Sequence, residues 1–141
     1  LEQVILNLIT NARDAITSKN GDENADNPQG ESIEIVTATI ASDDKYIGIH
    51  VKDTGTGIKK KDLDSIFDPF YSTKEVGKGT GLGLSICYGI IKKMEGEISV
   101  NSASGLGTTF HVRLPLPPEA EARKELLHQN LAVHQGGDDS A

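Results

Sequence analysis

Glycine occupies every second position of Gly77-Lys78-Gly79-Thr80-Gly81-Leu82-Gly83-Leu84, and the run leads straight into an apolar segment with helical spacing. Glycine tolerates positive φ and, lacking a side chain, lets another group approach the backbone. Where such a run opens a helix, unsatisfied N–H groups and the positive end of the macrodipole face one spot. An anion such as a phosphate chain is the natural occupant. The same residues also read as a flexible loop before a helix start, and the run alone does not separate the two readings. Two phosphate-binding patterns are excluded. Leu82 and Leu84 stand where the dinucleotide fingerprint needs a third glycine, and Gly-x-x-x-x-Gly-Lys-Ser/Thr occurs nowhere in the chain.

A chain of 141 residues, 36% hydrophobic, supports one core, so one domain is expected. No stretch is long and apolar enough to span a bilayer, and no signal peptide is recognisable. The single cysteine, Cys87, excludes an internal disulfide and fits a reducing, cytoplasmic setting without direct membrane contact. The net charge of −7 is localised: residues 20–32 carry four acids and no base, and residues 119–141 carry five acids and two bases. Twelve acids then face twelve bases elsewhere. The core is neutral, and nothing in it is basic enough for nucleic acid.

Residues 1–18 read as a helix with Leu1, Val4, Ile5, Leu8, Ala12, Ala15 and Ile16 on one broad face. Gln3, Asn7, Asn11 and Asp14 border that face. Asn7 and Asn11 taken singly read as solvated positions. As a pair four apart they stack two side-chain carbonyls, which suits a hard cation bridging phosphate oxygens. No capping residue precedes Leu1, so the chain reads as cut ahead of this helix.

Residues 19–32 form a polar, acidic loop. Strands are expected over 33–40 and 46–52, joined as a hairpin, with His50 facing outward. The second strand ends in Asp53-Thr54-Gly55-Thr56-Gly57-Ile58. Asp53 reads as an acceptor for an exocyclic amine, with two glycines that let a flat ligand lie on the backbone; an ordinary turn is the alternative. Residues 59–66 read as a short helix presenting Leu63 and Ile66 inward, its three lysines solvated. Phe67-Asp68-Pro69-Phe70-Tyr71-Ser72-Thr73-Lys74 then reads as an irregular loop that docks and undocks through its aromatic rings. A helix over 82–94 follows, with Leu84, Cys87, Ile91 and Met94 on one face and Gly96 as its stop. The order closes with a hairpin of 97–101 and 107–114. Beyond Pro115, Pro117 and Pro118, residues 119–131 have helical composition and 136–141 read as frayed.

In this order the motifs resemble the catalytic, ATP-binding domain of bacterial sensor histidine kinases, within the superfamily that includes gyrase, HSP90 and MutL. The matching pieces are Asn7 to Ala12 (the N box), Asp53 to Ile58 (the first glycine box), Phe67 to Phe70 (the F box), Gly79 to Leu84 (the second glycine box) and Gly107 to Phe110. Each alone is a modest match; in this order and spacing the set is highly specific.

The resemblance implies an α+β fold, the two-layer Bergerat sandwich. A mixed, largely antiparallel sheet packs on helices over residues 1–118, without its first strand, and a partly helical or disordered tail covers 119–141. It implies ATP and Mg2+ as cofactors. Asp53 would accept from the adenine amine, Gly55 and Gly57 would let the base pack closely, and Thr108 or Thr109 would help hold the adenine edge. Asn11 would hold Mg2+ with Asn7 nearby. Gly79, Gly81 and Gly83 would hinge a lid over roughly 67–80 and offer N–H groups to the phosphates. Asp14, Ile58, Phe67, Phe70, Thr80, Leu82 and Leu84 complete the expected binding set. Many relatives carry Lys where this chain has Asp14, so Lys74 and Lys78 are the expected replacements for that phosphate contact. Lys74 joins Asn7 and Asn11 in the catalytic set. Ser72-Thr73-Lys74 and Asp14 together resemble the nitrogen-regulator-type subgroup.

The implied partners are a histidine phosphoacceptor and dimerisation domain, absent from this chain, and the receiver domain of a response regulator. A full-length protein of this kind can be anchored in the inner membrane. None of the four histidines is followed by the acid and proline of a phosphoacceptor site. The alternative function is a nucleotide-hydrolysing clamp of the gyrase or HSP90 type, or a nucleotide-binding fragment without activity. A clamp needs a general-base Glu where this chain has Asn7, and an amide cannot take a proton from water.

Overall fold

The computed structural model describes residues 1–21, 30–40, 43–74, 79–120, 122–123, 125–126 and 129. Lys78 and Gly77, and most of the expected tail, lie outside the described residues. The elements in order are α1 (Glu2–Asn20), β1 (Ile33–Ile40), β2 (Asp43–Asp53), α2 (Gly83–Lys93), β3 (Glu97–Ala103) and β4 (Gly107–Pro115). The strands make one sheet in the order β1-β2-β4-β3, and every neighbouring pair is antiparallel. The expected sheet was mixed; among the described residues it has no parallel pair.

Periodicity explains both layers. In α1 the buried residues are Val4, Leu8, Ala12 and Ile16, four apart throughout, so one narrow stripe meets the sheet. Leu1 and Leu6 are exposed, which makes this face narrower than the apolar positions alone imply. In β4, Thr108, Phe110, Val112 and Leu114 are buried and alternate with half-buried Thr109, His111 and Arg113. Register places Val51 opposite Phe110 and Ile49 opposite Val112, and Cys87 and Ile91 of α2 close the cluster from the helical side. Val4, Leu8, Val51, Ile91 and Val112 are almost completely buried, each contributing roughly 1.5–3 kcal/mol by area. The opposite face of the sheet carries His50, Lys52, Ser99, Asn101, Thr109, His111 and Arg113.

Three local expectations need correction. Residues 59–66 form successive turns held by three-residue hydrogen bonds, Lys59 O to Asp62 N at 2.9 Å and Asp62 O to Ser65 N at 3.0 Å, not an α-helix. Three adjacent lysines and so short a segment do not repay helix nucleation, and Asp62 accepts from Tyr71 Oη at 2.7 Å instead. The helix α2 stops at Lys93, and Glu95, one residue ahead of the expected stop at Gly96, takes a positive φ of 58°. Met94, one residue past the helix, is exposed and takes no part in the core.

Candidate functional site

Asp53 is the last residue of β2 and points to the helical side, where it is only 4% exposed. Its Oδ1 accepts the Gly55 N–H at 2.8 Å, and the carboxylate also takes the backbone N–H of Thr108, its partner across the ladder. Burial pushes its pKa above the usual aspartate value. The Gly55 and Thr108 N–H groups oppose that rise, Glu31 adds to it and Lys19 reduces it. The site therefore holds a carboxylate in a place that disfavours its charge, a pattern that occurs where a buried acceptor has a job.

The two threonines expected at the adenine edge separate cleanly. Thr108 stands opposite Asp53, 5% exposed, with its Oγ1 2.9 Å from Ser102 Oγ. Thr109 pairs with Lys52 and Asn101 on the other face of the sheet, so it does not reach the site. Ser102 was not expected. Its Oγ accepts the Ile58 N–H at 2.8 Å, donates to Gly107 O at 2.9 Å and meets Thr108, so it ties the first glycine box to β4. The signal for it was available: the last hairpin sets Ser102 opposite Thr108.

A second unforeseen group fixes Thr54. Lys19 Nζ donates to Thr54 O at 2.7 Å and pairs with Glu31 at 3.2 Å, while Thr54 Oγ1 donates to Glu31 and accepts from Ser32 N at 2.9 Å. The end of α1, the start of β1 and the residue after Asp53 are thus held together.

The glycines of this box are packed closely by protein. A Cβ on Gly55 would lie 2.6 Å from Ala15 Cβ, and one on Gly57, at φ 69°, would lie 2.0 Å from Ala103 O. The space a side chain would need is filled by protein, so these glycines let α1 and β3 close on the loop. The Thr56 N–H to Ala15 O bond at 3.2 Å seals that approach.

The other end of the site lies between α1 and the start of α2. Asn7 Nδ2 donates to Gly83 O at 3.2 Å, which leaves its carbonyl oxygen as the atom available to a cation. Asn11, one turn further, is half-buried on the same helix. Asp14, a turn beyond, accepts Lys74 Nζ at 2.6 Å and Arg13 Nη2 at 3.0 Å. Burial would raise Asp14, but the bonds from Lys74 and then Arg13 outweigh it and hold its pKa below the usual value. Lys74, expected to meet phosphate, has a carboxylate within its reach here.

Of the lid, Phe67 docks against Tyr88 and Phe110, with ring centroids 5.8 and 6.4 Å away. Phe70 does not dock: it is 77% exposed, at φ 66°, and its N–H bonds Gly81 O at 2.9 Å. A Cβ on Gly81 would fall 2.5 Å from the Phe70 backbone. Leu82 caps α2, Thr80 Oγ1 accepts the Leu82 N–H at 3.3 Å, and Leu84 is half-buried against the core. Gly79 is exposed, and Gly83 has open space where a side chain would stand.

A buried acceptor at a strand end, an asparagine-bearing helix beside it and a glycine-rich helix start opposite define an ATPase-type site. Residues 1–118 match the family of histidine kinase-, DNA gyrase B- and HSP90-like ATPases, and the chain belongs to that family. Within it, the chain is a catalytic ATP-binding domain of the sensor histidine kinase type. It is 45% identical over 126 residues to the sensor kinase CckA of Brucella abortus, covering 81% of this chain and 12% of that protein. It is 42% identical over 120 residues to sporulation kinase C of Bacillus subtilis, covering 85% and 24%. The chain thus spans a quarter or less of the length of these relatives. The nucleotide-free catalytic domain of the histidine kinase ThkA superposes with a TM-score of 0.62 at 30% identity, over 83% of this chain and 66% of that one. Full-length ShkA in complex with AMPPNP gives 0.63 at 25% identity, over 80% and 20%.

Proposed function

We propose that this domain binds Mg2+-ATP and donates its γ-phosphoryl group to a histidine of a dimerisation domain elsewhere in the same protein. The phosphoryl group would then pass to a response-regulator receiver. The observation that carries the reading is Asp53, a carboxylate 4% exposed, pinned by Gly55 and Thr108 and held there against its own desolvation. Such an acceptor fits the exocyclic amine of adenine. ShkA, a structural neighbour, is described with AMPPNP, which supports an adenine nucleotide here.

The donors at the other end fit a hard cation, since Asn7 and Asn11 offer amide oxygens and Asn7 has its nitrogen engaged. Asn11, with Asn7 beside it, would hold Mg2+, which neutralises phosphate charge during transfer. The rest falls to this chain's own groups: Asp53 and Thr108 orient the base, Phe67 anchors the lid and Lys74 leaves Asp14 to meet phosphate. Gly79, Thr80, Gly81 and Gly83 line the phosphate end in this reading, and Lys78 is kept as a phosphate lysine on the resemblance alone. The amide at Asn7, already donating to Gly83 O, argues against a water-activating clamp. Asp14 with Ser72-Thr73-Lys74 supports the nitrogen-regulator-type subgroup, a finer assignment than the relatives' names carry.

Calorimetric titration of the 141-residue chain with ADP and ATP, with and without Mg2+, tests the binding half. Mixing the chain with a separately produced dimerisation domain and following acid-labile phosphate tests the transfer half. Binding without transfer to any such domain would leave a nucleotide sensor; absence of binding would remove the proposal.

A further inference from the structure

On the sheet face away from the nucleotide site, His50 of β2 and His111 of β4 stand directly opposite each other in register. Their Nδ1 atoms are 2.6 Å apart, with ring centroids at 4.8 Å and planes at 76°. Two imidazole lone pairs cannot share so short a gap empty; a proton or a cation must lie between them. The other nitrogen of His111 already has a companion, Asn101 Nδ2 at 3.2 Å from Nε2, on the next strand. The pair lines an open depression of about 520 Å³ with Tyr88, Lys92 and Arg113.

We infer that His50 and His111 form a two-imidazole site for a late first-row divalent cation, Zn2+, Ni2+ or Cu2+, with water completing the coordination. Metal–nitrogen bonds of about 2.0–2.1 Å place two ligand nitrogens roughly 2.9–3.4 Å apart, so the rings need to open by less than about 1 Å. Both are fixed on adjacent strands of one ladder, and little ordering remains to be done. Loading moves the proton now between the rings onto Nε2, the tautomer that metal ligation through Nδ1 requires. The Asn101 amide then turns its oxygen to accept that proton, the outer hydrogen bond that orients ligating histidines. Burial first, and His50 second, hold His111 below the ordinary imidazole pKa. The nearby charges, Lys92 and Arg113 against Glu97, are positive in excess. Affinity must come from the imidazole donors themselves, which selects late transition metals and excludes Mg2+ and Ca2+.

The test is titration of the nucleotide-free chain with ZnCl2 and NiCl2, watched through the histidine ring resonances by NMR. The expected result is that His50 and His111 shift together with one equivalent, while Mg2+ leaves both unchanged. His50→Gln or His111→Gln should weaken binding roughly tenfold or more, and Asn101→Ala by a smaller factor. Perturbation confined to His128 and His134, or no change at His50 and His111 in millimolar Zn2+, overturns the assignment. The resonances of the unsubstituted chain decide the matter even where a variant fails to fold. Because Asp53 lies on the opposite face, Zn2+ binding and ADP binding are read separately, and failure of one leaves the other standing.

Discussion

A carboxylate as buried as Asp53 carries a conflict between stability and function. Its raised pKa means that the folded chain holds the proton more tightly than the unfolded chain does, so its stability contribution is present at low pH and is lost as pH rises through the folded value. Its acceptor role requires the opposite, the ionised form. Asp53→Asn should therefore nearly abolish ADP binding by setting donor against donor, a mismatch of roughly 1–3 kcal/mol or more, without lowering the melting temperature at neutral pH. Calorimetry and thermal melts on the same sample check both halves. With the unsubstituted chain, ADP affinity should begin to fall at a higher pH than an ordinary aspartate would allow. Asn11→Ala isolates the metal: its loss should reduce phosphoryl transfer and Mg2+-ATP binding far more than metal-free ADP binding. Equal losses in the two titrations would remove Asn11 from the cation.

The helix α1 works as a rail with the Asp53–Ile58 loop at one end and the start of α2 at the other. Asp14 on that rail holds Lys74 through a half-exposed ion pair, worth no more than about 1 kcal/mol to stability. Asp14→Asn should leave the urea midpoint nearly unchanged and tighten ATP more than ADP, because Lys74 then has no competitor for phosphate. That small contribution exists only above the usual aspartate pKa and disappears as pH falls through the lowered value. Packing against the loop is more demanding. Gly57→Ala combines positive φ with a Cβ 2.0 Å from Ala103 O, and it should destabilise the fold by roughly 1–3 kcal/mol in chemical denaturation. The motif positions were readable because each obeys a local rule: a glycine run before a helix, an aspartate after a β-branched strand. What Gly55 and Gly57 make room for was not readable, since Ala15 and Ala103 reach them only through the tertiary fold. The Lys19–Glu31–Thr54 group escaped for the same reason, its members lying on three separate elements.

Across the whole molecule, one sheet separates two chemistries. The helical face holds the core and Asp53, and the other holds His50 and His111. Strand alternation made that division legible for His50 but left Thr108 and Thr109 undecided, because choosing between them needs the register against Asp53. Cys87, fully buried and pushed up in pKa by burial, sits where both layers meet. Its reaction with a thiol reagent should require global opening, so the labelling rate should follow denaturant in step with circular dichroism and slow in saturating Mg2+-ATP. Faster labelling than that would show α2 opening separately. The bond from Phe70 N–H to Gly81 O, at 2.9 Å, closes the chain between the F box and the second glycine box at its base. The segment so closed also meets the fold through Tyr71 and Lys74 near its start, and doubling the length of such a loop costs only about 0.6 kcal/mol in closure entropy. Lid length is therefore a nearly free variable for selection, and the same closure makes the segment a tolerant place to insert a reporter.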